Sequence, residues 1–190
     1  MSASPSPSWS AEIEGRRLSV FDGLLAEPAL ARRPDAPARW AIPGGGPARP
    51  DPADSRHWAA EIPPASLASM PLYAPAMAAV TAHDPGHRYR VYRSYVNVSH
   101  FGDMLFTHTD CLPDAHELTA LWYVCPRWDH EWGGETMFYD SAHDARAAVT
   151  PKPGRLAIFD GAILHAGRPP SRICLVPRYT LALKLERVPA

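Results

Sequence analysis

The sequence predicts a mainly β protein of the sandwich or jelly-roll type. From residue 89 onward, short runs rich in β-branched and aromatic residues alternate with turn signals. No helix-length pattern separates these runs, as it would in a protein with a parallel sheet and crossover helices. The predicted strands are 89–98, 104–109, 118–124, 135–139, 155–159, 163–165 and 178–185.

The first part of the chain is less regular. Residues 1–10 are rich in Ser and Pro, which favours disorder. Residues 18–21 have the composition of a short strand, 24–33 that of a modest helix, and 67–80 that of one or two short helices. Residues 34–52 are rich in Pro, Gly, Ala and Arg and predict a long loop, a lid or a disordered segment.

The chain length favours a single domain. Its 190 residues are enough for one substantial core and too few for two comfortable ones. We divide this domain into a disordered start at 1–10, an N-terminal helical and loop region at 11–87, and a β core at 88–187.

Charge and cysteine content exclude several classes of function. Nineteen basic and 20 acidic residues give a net charge of −1, so no overall field attracts nucleic acid or an anionic membrane. Three cysteines are an odd number and lack C-x-x-C spacing, which argues against a disulfide framework and a zinc knuckle. Charged residues occupy 12–17, where a signal peptide would be apolar. We therefore expect a soluble cytoplasmic protein.

A His-x-Asp triplet and a distant histidine form the main candidate site. His108 and Asp110 are two residues apart, and His165 follows fifty-five residues after Asp110. Two imidazoles and one carboxylate make the facial triad of non-haem iron(II) sites, which leaves the opposite face of the metal open. Side chains two apart on a strand share a face, so His108 and Asp110 can both face a barrel interior. On the triplet alone, a core histidine and a turn-forming aspartate remain the favoured interpretation.

The last predicted strand begins with an arginine, and this strengthens the metal hypothesis. Arg178 opens the apolar run 178–185, where burying a cation is costly without an anionic partner. The planar guanidinium group suits a carboxylate bidentately. A dicarboxylic cosubstrate that chelates the metal and pairs with Arg178 satisfies both features. The alternative is an exposed arginine, or one paired with Glu186.

The order of motifs over residues 92–186 resembles the 2-oxoglutarate/iron(II)-dependent dioxygenases, in particular their prolyl 4-hydroxylase-like branch. This covers about half the chain. The segments that carry the resemblance are 92–97, Gly102, 108–110, 118–124, Trp128, 133–136, 149–159, His165 and 178–180. It implies a double-stranded β-helix (jelly roll, cupin-like) core with N-terminal helices packed against it.

The resemblance also implies roles for individual residues. His108, Asp110 and His165 would bind Fe(II) as the catalytic centre, and Arg178 would bind the distal carboxylate of 2-oxoglutarate. For the cosubstrate pocket it implies hydrogen bonds from Thr180 and Tyr95 and an aromatic wall from Trp122 or Tyr123, with ordinary barrel packing as the alternative for these four. Arg178 lies thirteen residues after His165, a longer gap than is usual in this branch. Arg172, seven residues after His165, is therefore a rival clamp.

The activity implied by the resemblance is hydroxylation of an unactivated C–H bond, with dioxygen consumed and succinate and carbon dioxide released. Related halogenases have a small residue where this chain has Asp110, so hydroxylation is favoured over halogenation, while desaturation and cyclisation stay open. We expect a small-molecule substrate such as a free or carrier-bound amino acid or a natural-product intermediate. Three alternatives remain: a peptidyl (prolyl-type) hydroxylase, a cupin-like metalloenzyme without 2-oxoglutarate, and a non-catalytic binding module.

Overall fold

The computed structural model describes residues 4–25 and 58–189, which form two antiparallel sheets and two helices. In chain order the elements are β1 (Trp9–Ile13), β2 (Arg16–Phe21), β3 (Trp58–Glu61), α1 (Pro64–Ala68), α2 (Tyr73–His83), β4 (Arg88–Ser99), β5 (Leu118–Tyr123), β6 (Thr136–Tyr139), β7 (Ala145–Val149), β8 (Leu156–Asp160), β9 (Leu164–Gly167) and β10 (Arg178–Val188). A single 3₁₀ turn lies at His130–Trp132. The prediction of a mainly β protein is confirmed.

The larger sheet has seven strands in the order β1-β2-β8-β5-β10-β4-β3, and the smaller has the order β7-β6-β9. β10 lies between β5 and β4 and pairs antiparallel with both. The Tyr123 hydroxyl of the larger sheet donates to Thr136 Oγ1 of the smaller sheet over 2.7 Å. The two sheets therefore meet at the end of β5.

The central strands β5, β8 and β10 of the larger sheet are buried on both faces, and this explains their nearly continuous apolar sequences. Alternate residues of each strand belong to different core clusters. The first cluster joins one face to α2, and its members include Ala76, Val80, Trp122, Ile158, Leu181, Leu183 and Leu185. The second joins the other face to the smaller sheet, and its members include Leu121, Tyr123, Phe138, Ala157, Phe159 and Ala182.

The N-terminal region contributes more β structure than the sequence predicts. β1 and β2 form a hairpin whose two-residue turn, Glu14-Gly15, has positive φ at both positions, 50° and 77°. β1 begins at Trp9, within the segment predicted to be disordered, because its backbone pairs with β2. β3, also not predicted, pairs with β4 at the opposite edge of the sheet.

Two further strand predictions need correction. Residues 104–109 do not form a regular strand, and His108 makes only an isolated bridge to His165. β7 was missed because its sequence, ARAAV, is rich in alanine, which has low β propensity, and the strand depends on pairing with β6. Nearly all of the predicted helix at 24–33, and all of the predicted loop at 34–52, lie outside the described residues.

Among the described residues, no helix is both long and apolar enough to cross a membrane.

An ion pair joins the N-terminal hairpin to β8. The guanidinium group of Arg155 donates to both carboxylate oxygens of Asp22, each over 2.9 Å. The hydrogen bond from Arg155 lowers the pKa of Asp22 below its usual value of 3.8. Since Asp22 is partly exposed, solvent screening limits the stabilisation to about 1 kcal/mol or less.

We predict that Asp22→Asn lowers the free energy of unfolding at neutral pH, and that this difference disappears in acid. A carboxyl group with a depressed pKa in the folded state stabilises above its unfolded pKa and loses this effect as pH falls through the folded pKa. Urea unfolding of both proteins, from neutral pH to below the usual aspartate pKa of 3.8, measures the difference. A difference independent of pH contradicts the ion-pair interpretation.

Candidate active site

The structure brings His108, Asp110 and His165 together in the wall of a cavity that residues of both sheets line. Their candidate ligand atoms all lie within 4.8 Å of one another. Nε2 of His108 is 3.6 Å from Oδ1 of Asp110, and Nε2 of His165 is 3.5 Å from Oδ2. His165 lies on β9, while His108 and Asp110 lie in the connection between β4 and β5.

Backbone carbonyl groups orient both imidazole rings. Nδ1 of His108 lies 2.8 Å from the Phe106 carbonyl oxygen, and Nδ1 of His165 lies 2.8 Å from the Ile163 carbonyl oxygen. A carbonyl only accepts, so each Nδ1 carries the proton and each Nε2 keeps a free lone pair. Burial lowers the pKa of His165 to about 4, which keeps this ring neutral and able to bind a metal.

Asp110 is buried in a polar environment. Thr119 Oγ1 donates to Oδ2 of Asp110 over 2.6 Å, and the Lys184 ammonium group contacts the same oxygen. Burial acts to raise the pKa of Asp110, but the positive charge of Lys184, together with His165 and His108, outweighs it and holds this pKa well below the usual value. Asp110 is therefore ionised. Two neutral imidazoles and one carboxylate, all facing one point, fit a divalent iron ion.

Gly161 fixes the backbone of Asp110. Its carbonyl oxygen accepts from the backbone N–H of Asp110 over 2.7 Å. A Cβ atom at Gly161 would lie 2.9 Å from Cys111 Sγ and 3.3 Å from Asp110 Cβ. Only glycine therefore allows the two segments to approach this closely.

Most of the remaining cavity wall comes from alternate residues of the larger sheet. β10 contributes Arg178, Thr180, Ala182 and Lys184, which share one strand face. β4 contributes Tyr95 and Asn97, and β5 contributes Thr119 and Leu121.

Arg178 lies in the same cavity as the triad and is only 3% exposed. Its Nε donates to the Gly134 carbonyl over 2.6 Å, and its Nη2 donates to Thr136 Oγ1 over 3.0 Å. The guanidinium carbon lies 5.3 Å from the centre of the Tyr123 ring. No carboxylate within residues 4–25 and 58–189 is close enough to form an ion pair with Arg178.

The sequence left three alternatives to Arg178 as the clamp, namely an exposed Arg178, a pair with Glu186, and Arg172 in its place. Glu186 pairs with Arg90 over 2.7 Å and not with Arg178. Arg172 is exposed in the connection before β10 and does not line the cavity.

Comparison with known proteins finds one matching family and several structures of similar fold. Residues 92–183 match the family described as the 2OG-Fe(II) oxygenase superfamily. A prolyl-4-hydroxylase from Pseudomonas putida is 18% identical, with a TM-score of 0.59, and the match covers 90% of this chain and 93% of that one. The viral collagen prolyl hydroxylase of Paramecium bursaria Chlorella virus-1 is 16% identical, with a TM-score of 0.62 and coverages of 90% and 96%. No curated protein sequence is detectably similar to the chain.

A third structural neighbour is an epimerase. The non-haem α-ketoglutarate-dependent epimerase SnoN, from nogalamycin biosynthesis, is 17% identical, with a TM-score of 0.63. The match covers 89% of this chain and 78% of that one. At these identities the neighbours establish the fold.

The chain belongs to the 2OG-Fe(II) oxygenase superfamily. It is an oxidoreductase of the dioxygenase type, and its cofactors are Fe(II), 2-oxoglutarate and dioxygen. A His-Asp-His triad, formed by His108, Asp110 and His165, is present and its ligand atoms are close enough to hold a metal ion.

The predicted pocket residues of the oxygenase lie partly in the cavity and partly in the core. Tyr95 and Thr180 line the cavity. Trp122 does not, which corrects the prediction, because its side chain points to the other face of β5 and is fully buried in the first core cluster. Tyr123, the alternative aromatic, contacts Arg178 on the cavity side.

Sequence reasoning missed Thr119, Thr136 and Lys184 as site residues of the oxygenase. The period of two along β10 places Lys184 on the same face as Arg178, so this residue could have been found from spacing alone. Thr119 and Thr136 carry no comparable signal, since a buried strand threonine is common in ordinary packing.

Gly134 is required for the position of Arg178. It has a φ of +79°, and a Cβ atom there would lie 3.0 Å from Trp128 Cζ2 and 3.1 Å from Arg178 Cδ. The Trp128 indole N–H also donates to the Gly133 carbonyl over 3.0 Å. The glycine pair and Trp128 thus hold the turn against the arginine.

We predict that Gly161→Ala weakens Mn(II) binding by about tenfold, the low end for changes that misplace a metal ligand. The added methyl group displaces Asp110 or Cys111. Isothermal titration calorimetry measures the affinity.

Gly86→Ala is the matched control, because a Cβ atom at Gly86 meets only Asp84 at an ordinary distance of 3.6 Å. Cys111→Ala should restore part of the affinity lost in Gly161→Ala, since it removes the closest contact. Equal affinities for Gly161→Ala and the unmutated protein would show that Gly161 does not position the carboxylate.

Proposed function

We propose that the protein hydroxylates an unactivated C–H bond of a small molecule, with His108, Asp110 and His165 as the Fe(II) ligands. A single observation supports this proposal most strongly. The buried guanidinium group of Arg178 shares a cavity with the triad and has no carboxylate partner in the described part of the chain. Leaving such a cation without an anion is costly, and the distal carboxylate of 2-oxoglutarate supplies one.

Neighbouring residues leave the guanidinium group accessible from the cavity. Gly167 lies beside it, and a Cβ atom there would be 3.6 Å from Nη1 and 3.8 Å from Nη2. The missing side chain leaves room for a ligand at the edge of Arg178 that Gly134 and Thr136 do not occupy. We assign Thr180 and Tyr95, on the adjacent cavity wall, as further hydrogen-bond donors to the cosubstrate.

When bound, iron with 2-oxoglutarate and dioxygen supplies the oxidising power, and 2-oxoglutarate is converted to succinate and carbon dioxide. The chain's own residues orient these reactants. The two carbonyl-bound imidazoles present their Nε2 atoms, Asp110 supplies the charge, and Arg178 fixes the far end of the cosubstrate. Phe138 and Phe159 pack against the His165 ring, with ring centres 5.9 and 4.7 Å away, and exclude water from that side.

The small-molecule class is supported by SnoN, which has also been seen in complex with Fe³⁺, α-ketoglutarate and nogalamycin RO. A free or carrier-bound amino acid or a natural-product intermediate is our preferred substrate. A peptidyl prolyl hydroxylase is the second candidate, favoured by the prolyl hydroxylases among the structural neighbours.

We also propose that the chain is one domain and that its core is a double-stranded β-helix. Support comes from strand pairing, because β2 pairs with β8 and β3 pairs with β4, so both described segments share one sheet. A cytoplasmic location is supported by the free thiols of Cys111, Cys125 and Cys174, which suit a reducing compartment.

We predict that Arg178→Ala raises the Kd for 2-oxoglutarate by about a hundredfold or more, because it removes a buried, charge-assisted hydrogen-bond pair. Mn(II) affinity without cosubstrate should stay within a few fold of the unmutated protein. Anaerobic calorimetry with Mn(II)-loaded protein measures both constants. Arg172→Ala is the matched control and should leave both unchanged. If Arg172→Ala has the larger effect on 2-oxoglutarate, the clamp is assigned to the wrong arginine.

We further predict that the Fe(II)-loaded protein converts 2-oxoglutarate to succinate on exposure to oxygen, slowly alone and faster with its substrate. His108→Ala should abolish this turnover because it removes a metal ligand. Succinate release across a panel of amino acids and proline-containing peptides separates the two substrate classes. Stoichiometric metal binding without any succinate would favour the cupin-like alternative instead.

A further inference from the structure

A second buried cation lies at the other end of the cavity face of β10. The Lys184 side chain is 9% exposed, and its ammonium group contacts Oδ2 of Asp110. It also donates to Thr119 Oγ1 over 3.0 Å, while the Thr119 hydroxyl donates to the same Oδ2 over 2.6 Å. Lysine, threonine and aspartate thus form a closed triangle behind the metal site.

This buried position is unfavourable for a lysine unless its positive charge is paired. Lys184 lies between Leu183 and Leu185, both fully buried, on a strand that is apolar from Leu181 to Leu185 apart from this residue. An unpaired ammonium group there would be strongly disfavoured. Within the described residues, Asp110 is the carboxylate that pairs with it.

The two carboxylate oxygens of Asp110 have different partners in this triangle. Oδ2 receives both the hydroxyl and the ammonium group. Nε2 of His108 lies 3.6 Å from Oδ1 and Nε2 of His165 lies 3.5 Å from Oδ2, but neither nitrogen carries a proton to donate, so Oδ1 receives no hydrogen bond from the triad. Oδ1 is therefore the oxygen left free for a metal ion.

We propose that Lys184 is a positioning residue that directs Oδ1 of Asp110 to the metal and cancels the single negative charge of the triad. This inference rests on the proposed metal-binding role of His108, Asp110 and His165. Two neutral imidazoles, one carboxylate and one ammonium group carry no net charge. Such a site holds a divalent ion less tightly than the triad alone, and it disfavours a trivalent ion more strongly, because repulsion scales with the charge of the ion. Lys184 therefore favours the ferrous state.

The test compares three substitutions. Lys184→Met keeps an unbranched side chain of similar size and removes the charge. Lys184→Arg keeps the charge and serves as the rescue variant. Thr119→Val removes a hydrogen bond to the same oxygen without changing the charge, so it separates the effect of charge from that of orientation.

Two quantities are measured under anaerobic conditions. The first is the Mn(II) dissociation constant at pH 8, well above the range in which carboxylates ordinarily titrate. The second is the midpoint potential of the bound iron in the iron-loaded protein. Lys184→Met should bind Mn(II) about tenfold more tightly, since a unit charge beside the ion is removed. Its midpoint potential should be lower. Lys184→Arg should resemble the unmutated protein in both, and Thr119→Val should not lower the potential.

A metal-free experiment covers the case in which a variant folds poorly. Thermal unfolding is compared for Lys184→Met, Asp110→Asn and the double variant. Each single change leaves one buried charge unpaired, so the double variant should unfold at a higher temperature than either. A purely structural role for the lysine side chain predicts additive losses instead.

The outcomes separate the inference from the proposed function. If the unmutated protein does not bind Mn(II), the metal site itself is wrong, and the inference fails with it. If the unmutated protein binds Mn(II) but Lys184→Met shows equal or weaker binding and an unchanged potential, only the role of Lys184 is overturned. Additive losses in the metal-free proteins would overturn it as well.

Discussion

The antiparallel pairing of β10 with β4 and β5 is the constraint on which the site depends. This register places Arg178, Thr180 and Lys184 on the cavity face and the alternating leucines on the face that packs against α2. A slip of one residue would exchange the two faces, removing both cations from the cavity and placing leucines there. The apolar core between the sheet and α2 fixes the register, so the packing of one face determines the chemistry of the other.

The proposed metal site depends on backbone contacts between the β4–β5 connection and the segment 161–165. His108 and His165 exchange backbone hydrogen bonds of 2.9 Å in each direction, and Asp110 donates its N–H to the Gly161 carbonyl. These contacts bring together side chains that are more than fifty residues apart in sequence. Carbonyl groups then set the orientation of both imidazole rings. Side chains held in place by such contacts reduce the cost of ordering ligands on binding.

The sequence predicted the site residues that have a characteristic spacing or that stand in an unexpected environment. The His-x-Asp triplet has a characteristic spacing, and Arg178 is a cation at the start of an apolar strand. The spacing along β10 places Lys184 on the cavity face, but sequence does not show that Thr119 and Lys184 meet Asp110. Trp122 was assigned to the wrong face of β5, since a strand buried on both sides gives no polarity signal. The alanine-rich β7 was missed because it depends on tertiary pairing.

We propose that one cavity binds a divalent metal through the triad and a dicarboxylate through Arg178. A crystal structure of the protein with Fe(II) and 2-oxoglutarate, prepared anaerobically and recorded at the iron absorption edge, tests it most directly. We expect one anomalous peak, from an iron ion bound by Nε2 of His108, Oδ1 of Asp110 and Nε2 of His165, with a cosubstrate carboxylate on Arg178. An iron peak elsewhere, or a cosubstrate carboxylate held by Arg172 instead, would contradict it.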